Sequence, residues 1–205
     1  MRVGVLASGA GTNLQAILDR VHGREGVEVV AVGTDQPGAP ALERAGRAGV
    51  ATAEFPLAGD RPARDGAMAD WLESHGVELV VLAGYMALLT PGFLNRFPGR
   101  VINVHPALLP AFPGLRAIEQ ALDYGVKVFG VTVHFVDEGV DTGPIIAQRA
   151  LELPDATDPA QVREALRPLE HALLTDAVRL IARGAVSFDP ANPRRVAIEG
   201  YGPAR

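Results

Sequence analysis

Residues 101–115 combine a short β-branched run with an asparagine and a histidine that could take part in catalysis. The run predicts a buried strand, and the three prolines and one glycine within this segment require the strand to end near His105. Asn103 and His105 are two residues apart, so both side chains leave the same face of the strand. Ligands bind at the carboxyl ends of strands in open α/β sheets. We therefore predict that both residues face a binding site, although they could instead only satisfy loop backbone groups.

A second polar strand is predicted at residues 128–136, where Thr132 and His134 fall on one face. It runs into the acidic, turn-rich loop 137–144, which contains Asp141. An asparagine, a histidine and a loop carboxylate could supply an oxyanion donor, a proton donor and the group that keeps the histidine protonated. Two histidines and a carboxylate also form some metal sites. Nothing in the spacing directs both histidines to one centre, so we expect no metal.

Gly9, Ala10 and Gly11 lie between the first predicted strand and the first predicted helix. Glycines at this position let an anion approach the backbone, and the N-terminus of the helix offers unpaired N–H groups. A dinucleotide fingerprint would require a small residue at position 14, which is Leu14 in this chain. The loop is therefore interpreted as a phosphate site that does not bind NAD, or else as only a tight turn. Asp35, at the end of the second predicted strand, is interpreted as a turn residue.

The elements that must position these residues alternate along the chain. Apolar runs that predict strands lie at 3–7, 27–32, 51–55, 79–83 and 101–104. Amphipathic segments that predict helices lie at 13–21, 39–48, 61–75, 91–97 and 115–124. This alternation indicates an α/β fold with a doubly wound, mostly parallel, Rossmann-like sheet flanked by helices. Two consecutive strands at 128–136 and 145–150, followed by a long helix from Asp158 to about residue 183, predict a mixed C-terminal part.

The length of 205 residues and the 48% hydrophobic content favour a single domain with one well-packed α/β core. We expect residues 1–185 to form the catalytic domain. Residues 186–205, which are rich in proline, glycine and arginine, are expected to form a C-terminal tail.

The net charge of −5 and the pI near 5.5 argue against a surface that binds nucleic acid. No apolar run reaches the length of a membrane span, and the chain begins at once with a predicted strand. The absence of cysteine fits a reducing compartment. We therefore expect a cytoplasmic protein that acts on small molecules, without a nucleic-acid or membrane partner. The sequence leaves the oligomeric state open, a homodimer included.

Together these motifs resemble the folate-dependent formyltransferase family. The resemblance rests on residues 103–106, 108–110, 113–114, 130–134 and 141–144, and it covers roughly residues 1–185. With the opening 8–13 and the compact length, the chain is most similar to the members that act in de novo purine (IMP) biosynthesis. The resemblance implies a formyltransferase-like fold. It also implies transfer of a formyl group from the co-substrate 10-formyltetrahydrofolate to the amine of N1-(5-phospho-D-ribosyl)glycinamide, without a metal.

The resemblance assigns roles to individual residues. Asn103 and His105 would stabilise the oxyanion formed by direct attack of the amine, and Asp141 would keep His105 protonated. The residues implied to bind the ribonucleotide are Gly11, Thr12, Asn13, Arg167 and Glu170. Those implied to bind the folate are Arg64, Met86, Ala87, Leu88, Leu89, Asn103, Asp137, Glu138, Gly139, Val140 and Asp141.

Three alternatives remain open. A formyltetrahydrofolate deformylase would use the same three catalytic residues with water as acceptor, but that family usually carries an extra N-terminal domain. A methionyl-tRNA formyltransferase would need a C-terminal tRNA-binding domain and a basic face. A non-enzymatic folate- or nucleotide-binding module would explain the glycine loop but would leave Asn103, His105 and Asp141 without a reason.

Overall fold

The computed structural model describes residues 1–57 and 59–199. Strands and helices follow in the order β1 (Arg2–Leu6), α1 (Thr12–Arg20), β2 (Glu28–Thr34), α2 (Pro40–Arg47), β3 (Ala51–Glu54), α3 (Arg61–Ser74), β4 (Leu79–Leu82), α4 (Pro91–Leu94), β5 (Val101–His105), α5 (Ala117–Tyr124), β6 (Val128–Phe135), β7 (Ile145–Glu152), α6 (Pro159–Ala182), β8 (Val186–Asp189) and β9 (Asn192–Ile198). Each predicted strand and helix is present, with ends that differ by at most three residues.

Seven of the described strands form one sheet in the order β3-β2-β1-β4-β5-β6-β7. The first five strands of this order pair in parallel, and β6 and β7 pair antiparallel. The predicted doubly wound sheet with a mixed C-terminal part is confirmed. Because the chain winds from β1 toward β2 and β3 and then returns to place β4 on the other side, the topological switch point lies between β1 and β4.

Apolar side chains cover both faces of the sheet, as a parallel sheet between helices requires. One cluster includes Leu14 of α1 and Leu166 and Leu174 of α6, all fully or almost fully buried. The opposite cluster includes Met68 and Leu72 of α3. Each such side chain stabilises the fold by about 1.5–3 kcal/mol. The sheet is thus a fixed platform for the loops at its edge.

The segment that was predicted as a tail contains an antiparallel hairpin formed by β8 and β9. Its Phe188 ring lies 4.7 Å from the ring of Phe135, and Arg194 donates a hydrogen bond to the carbonyl oxygen of Thr142 at 2.7 Å. These strands were not predicted, because Pro193 and the following arginines interrupt the apolar alternation. Residues 200–205 of the predicted tail lie outside the described residues.

No helix in the described ranges is long and apolar enough to cross a membrane.

Gly11 caps α1 with a left-handed backbone, at φ +70°. A Cβ atom at this position would lie 2.8 Å from the Cα atom of Ala41 in α2. We expect Gly11→Val to lower the free energy of unfolding by about 2–4 kcal/mol, because it combines backbone strain with overpacking. Urea denaturation measures this loss. Gly9→Val is the matched control, since a Cβ atom there has no neighbour within 4 Å. Equal stability of the two variants would contradict the expectation.

Candidate active site

A cavity of about 1140 Å³ opens at the topological switch point of the sheet. Its walls come from the loops after β1 and β4, the end of β5, the loop after β6, and helix α6. Ligand pockets usually measure about 300–1,000 Å³. The cavity can therefore hold two small molecules side by side.

The pairing of β5 with β6 brings the predicted polar residues together. Asn103 lies opposite His134, and His105 lies opposite Thr132. Paired residues of adjacent strands point to the same side of a sheet, so the four side chains share one face. The loop after β6 brings Asp141 to this face. The hydroxyl of Thr132 donates to the carbonyl oxygen of Ala107 at 2.7 Å, so it holds the loop that follows β5.

His105 has an acceptor at each ring nitrogen. Its Nδ1 atom lies 3.3 Å from Oδ2 of Asp141, and its Nε2 atom lies 2.8 Å from the carbonyl oxygen of Phe112. A carbonyl oxygen and a carboxylate can only accept hydrogen bonds, so the imidazolium form satisfies both contacts. The ring is almost fully buried. The two contacts thus fix the orientation of the His105 ring.

Asp141 is the centre of the cluster. Its Oδ1 accepts a hydrogen bond from the Asn103 amide at 3.3 Å, and its Oδ2 accepts one from the Gly114 N–H at 2.7 Å. Burial alone would raise the pKa of Asp141. The hydrogen bond with His134, the Gly114 N–H and the charges of His105 and His134 outweigh burial and lower the pKa to about 2. Asp141 is therefore a permanent anion at neutral pH.

Asn103 and His134 complete the cluster. The Nδ1 atom of His134 lies 2.8 Å from the carbonyl oxygen of Phe135, which makes this nitrogen the donor. Its Nε2 atom lies 3.3 Å from the amide nitrogen of Asn103 and 3.5 Å from Oδ1 of Asp141. The Asn103 amide thus directs one hydrogen toward Oδ1 of Asp141, and its second hydrogen can bind an oxyanion in the cavity.

One end of the cavity is apolar. The side chains of Met86 and Leu88 are 59% and 56% exposed, and Val140 faces the same space from the opposite loop. Of the residues predicted to bind folate, all but Arg64 line the cavity as a whole, namely Met86, Ala87, Leu88, Leu89, Asn103, Asp137, Glu138, Gly139, Val140 and Asp141.

The other end of the cavity lies between α1 and α6. Thr12, Asn13, Arg167 and Glu170 line it, whereas Gly11 is not part of the wall. The Asn13 amide donates to the Glu170 carboxylate at 3.2 Å. Burial raises the pKa of Glu170 despite this hydrogen bond and the nearby Arg167. This end thus offers a helix N-terminus, a guanidinium and a carboxyl group to a polar ligand.

Arg64 does not line the cavity. Its guanidinium is 7% exposed and pairs with Asp65 at 2.6 Å. Arg61, one turn earlier on α3, lines the cavity in its place. Residues three apart share a helix face, so the sequence pattern could not distinguish the two arginines. The sequence also gave no signal for the acceptor at Phe112 or the donor at Gly114, because both are backbone groups.

Within residues 1–57 and 59–199, no group of three or more His, Cys, Asp or Glu side chains is arranged to hold a metal ion.

Comparison with known proteins gives consistent results. A protein-family model described as formyl transferase matches residues 1–178. The chain is similar to phosphoribosylglycinamide formyltransferase of Mycobacterium tuberculosis, at 46% identity over 189 residues that cover 91% of this chain and 87% of the relative. The enzyme of the same name from Bacillus subtilis is 41% identical over 170 residues, 82% of this chain and 87% of the relative. The crystal structure of glycinamide ribonucleotide transformylase 1 from Symbiobacterium toebii matches with a TM-score of 0.92 and 48% identity, covering 97% of this chain and 93% of that chain.

Proposed function

Because this chain belongs to the formyl transferase family, we propose that it transfers a formyl group from 10-formyltetrahydrofolate to the amine of phosphoribosylglycinamide, a step of purine biosynthesis. One observation carries the proposal. Asn103 and His105 both contact Asp141, through a hydrogen bond and an ion-pair contact, and the three form one cluster on the wall of a cavity that has an apolar end and a polar end. A donor with a flat heterocycle and a phosphorylated acceptor would meet at this cluster.

The folate is assigned to the apolar end. Backbone groups of the loops after β4 and β6 would bind the edge of the pterin, and Met86, Leu88 and Val140 would cover its faces. We assign the folate-facing guanidinium to Arg61 on the basis of its place in the cavity wall, and Arg64 to a contact behind the wall.

The ribonucleotide is assigned to the polar end. Its phosphate would bind the first N–H groups of α1 at Thr12 and Asn13, where the helix dipole favours an anion, and Gly11 would hold the turn that precedes them. Arg167 adds a positive charge, and Glu170 can accept hydrogen bonds from the ribonucleotide near its amine. This arrangement directs the amine toward the cluster from the side opposite the folate.

The amine would attack the formyl carbon directly and produce a tetrahedral oxyanion. Asn103 and the charged His105 would stabilise it, and one such donor typically lowers the barrier by roughly 3–4 kcal/mol. Asp141 would keep His105 protonated and orient the water that carries the proton from the amine to the leaving folate nitrogen. The reaction needs neither a covalent intermediate nor a metal.

We assign this reaction to residues 1–185, because each residue named above lies in that range. A cytoplasmic location and substrates limited to small molecules belong to the same proposal.

We expect release of tetrahydrofolate to depend on the ribonucleotide acceptor. The test incubates the protein with 10-formyltetrahydrofolate, with and without phosphoribosylglycinamide, and follows tetrahydrofolate and free formate. Formation of formylated ribonucleotide only in the complete mixture supports the proposal. Equal folate release without acceptor, with formate as product, would instead identify a deformylase, and folate binding without turnover would identify a binding module.

A further inference from the structure

The loop of residues 84–90 connects β4 to α4 and forms the apolar end of the cavity. Two of its large apolar side chains, Met86 and Leu88, are exposed. In the described part of the chain, Ala87, Leu88 and Leu89 form no backbone hydrogen bond, so their N–H and C=O groups stay available. Tyr85, Ala87 and Leu89 pack against the core behind the loop. Because the backbone of residues 87–89 forms no hydrogen bond within the described part of the chain, polar contacts at the two ends of the loop are needed to keep one backbone conformation.

Ser8, which follows β1, holds the N-terminal end of this loop. The Ser8 hydroxyl accepts a hydrogen bond from the Met86 N–H at 2.9 Å. The same hydroxyl donates its proton to Oδ1 of Asp35 at 2.5 Å. Asp35 is 1% exposed and lies directly after β2. Donation to a carboxylate polarises the hydroxyl and makes its oxygen a better acceptor, so Asp35 strengthens the contact with Met86.

The second end of the loop is held by Asp65 of α3, which is fully buried. Its Oδ2 accepts a hydrogen bond from the Thr90 N–H at 2.7 Å. Its Oδ1 accepts two from Arg64, from Nε at 3.0 Å and from Nη2 at 2.6 Å. The guanidinium balances the charge of Asp65, which leaves the other oxygen free to bind the loop. This contact gives the buried Arg64 a role without placing it in the cavity.

Two buried carboxylates therefore fix the two ends of one loop, and the unused backbone groups lie between them. We propose that Ser8, Asp35 and Asp65 are positioning residues that hold the 84–90 loop in its ligand-binding conformation, and so determine the affinity for folate and leave the rate of formyl transfer unchanged. The proposal rests on the proposed function, because it assigns folate to this loop. None of the three residues lines the cavity.

The experiment compares Ser8→Ala, Asp35→Asn and Asp65→Asn with the wild-type protein. We expect each variant to raise the KM for 10-formyltetrahydrofolate about tenfold, as loss of a hydrogen bond to a charged or polarised group would, and to leave kcat and the KM for the ribonucleotide unchanged. Because Asp35 acts through Ser8, the double variant of these two should resemble Ser8→Ala. Ser74→Ala and Asp70→Asn, two exposed positions on α3, are the matched controls.

Amide hydrogen exchange provides a readout that does not depend on activity. Ser8→Ala should accelerate exchange of the Met86 N–H and leave the Thr90 N–H unchanged, whereas Asp65→Asn should do the reverse. If Asp65→Asn does not fold, the KM for folate and the exchange rate of the Met86 N–H in Ser8→Ala are sufficient to test the proposal.

The outcomes separate the two proposals. A wild-type protein that transfers no formyl group overturns the proposed function. If the wild-type protein transfers the formyl group but the variants keep the wild-type KM for folate, or lose kcat instead, the positioning role is overturned.

Discussion

Asp141→Asn is expected to lower kcat by about 10²- to 10⁴-fold, the range for a lost acid–base partner. The amide cannot supply the negative charge that faces Nδ1 of His105, and one of its two polar atoms becomes a donor opposite the Asn103 amide or the Gly114 N–H. Folate binding should survive, because most of the apolar end is unchanged. Steady-state kinetics and equilibrium binding of tetrahydrofolate measure the two effects separately.

Asp155→Asn is the control for this substitution, because Asp155 is exposed, lies between β7 and α6 and does not line the cavity. A loss of folate binding as large as the loss of turnover would mean that Asp141 acts only as a ligand contact.

The same variant also has a predicted stability profile. The pKa of Asp141 is lowered from its ordinary value of 3.8 to about 2, so the ionised group stabilises the folded state above pH 4. This contribution is lost as the pH falls through the folded-state pKa near 2. Wild type should therefore exceed Asp141→Asn in stability at neutral pH by about 2 kcal/mol, and the difference should shrink below pH 4. Urea denaturation across this pH range measures it.

His105→Asn should lower kcat by a similar factor, because it removes the charged donor of the cluster. The double variant with Asp141→Asn should be little worse than the poorer single variant. Groups that act as a unit lose activity non-additively, and Nδ1 of His105 is 3.3 Å from the Asp141 carboxylate. Measuring kcat for the four proteins decides the point. If the fold-loss in kcat of the double variant equals the product of the losses of the two single variants, the two residues act independently and the coupled mechanism is wrong.

The centre of the site could be predicted because strand geometry is regular. Side chains alternate along a strand, so the spacing of Asn103 and His105 was enough to place them on one face. The same rule placed Thr132 and His134 together. The sequence could not show that these two pairs face each other, because that depends on the register of β5 against β6.

Features that depend on backbone groups or on small rotations could not be predicted. The contact of His105 with Phe112 joins a side chain to a backbone atom across a loop, and that of Ser8 with Met86 joins a side chain to a backbone atom far away in sequence. Arg61 and Arg64 differ only by a small rotation around α3, which decides which guanidinium reaches the cavity. Asp35 was interpreted as a turn residue because the dinucleotide fingerprint lacks its third small residue, and its hydrogen bond with Ser8 could not be predicted because it joins the ends of two neighbouring strands.

In the proposed assignment, the reacting groups and the groups that select the acceptor lie on different elements. Asn103, His105 and His134 are fixed on paired strands, whereas the polar end is formed by the beginning of α1 and one face of α6. Evolution can therefore change the acceptor by substitutions on those two helices without disturbing the strands. Proteins built on this sheet can therefore retain the formyl-transfer reaction while the molecule that they formylate changes.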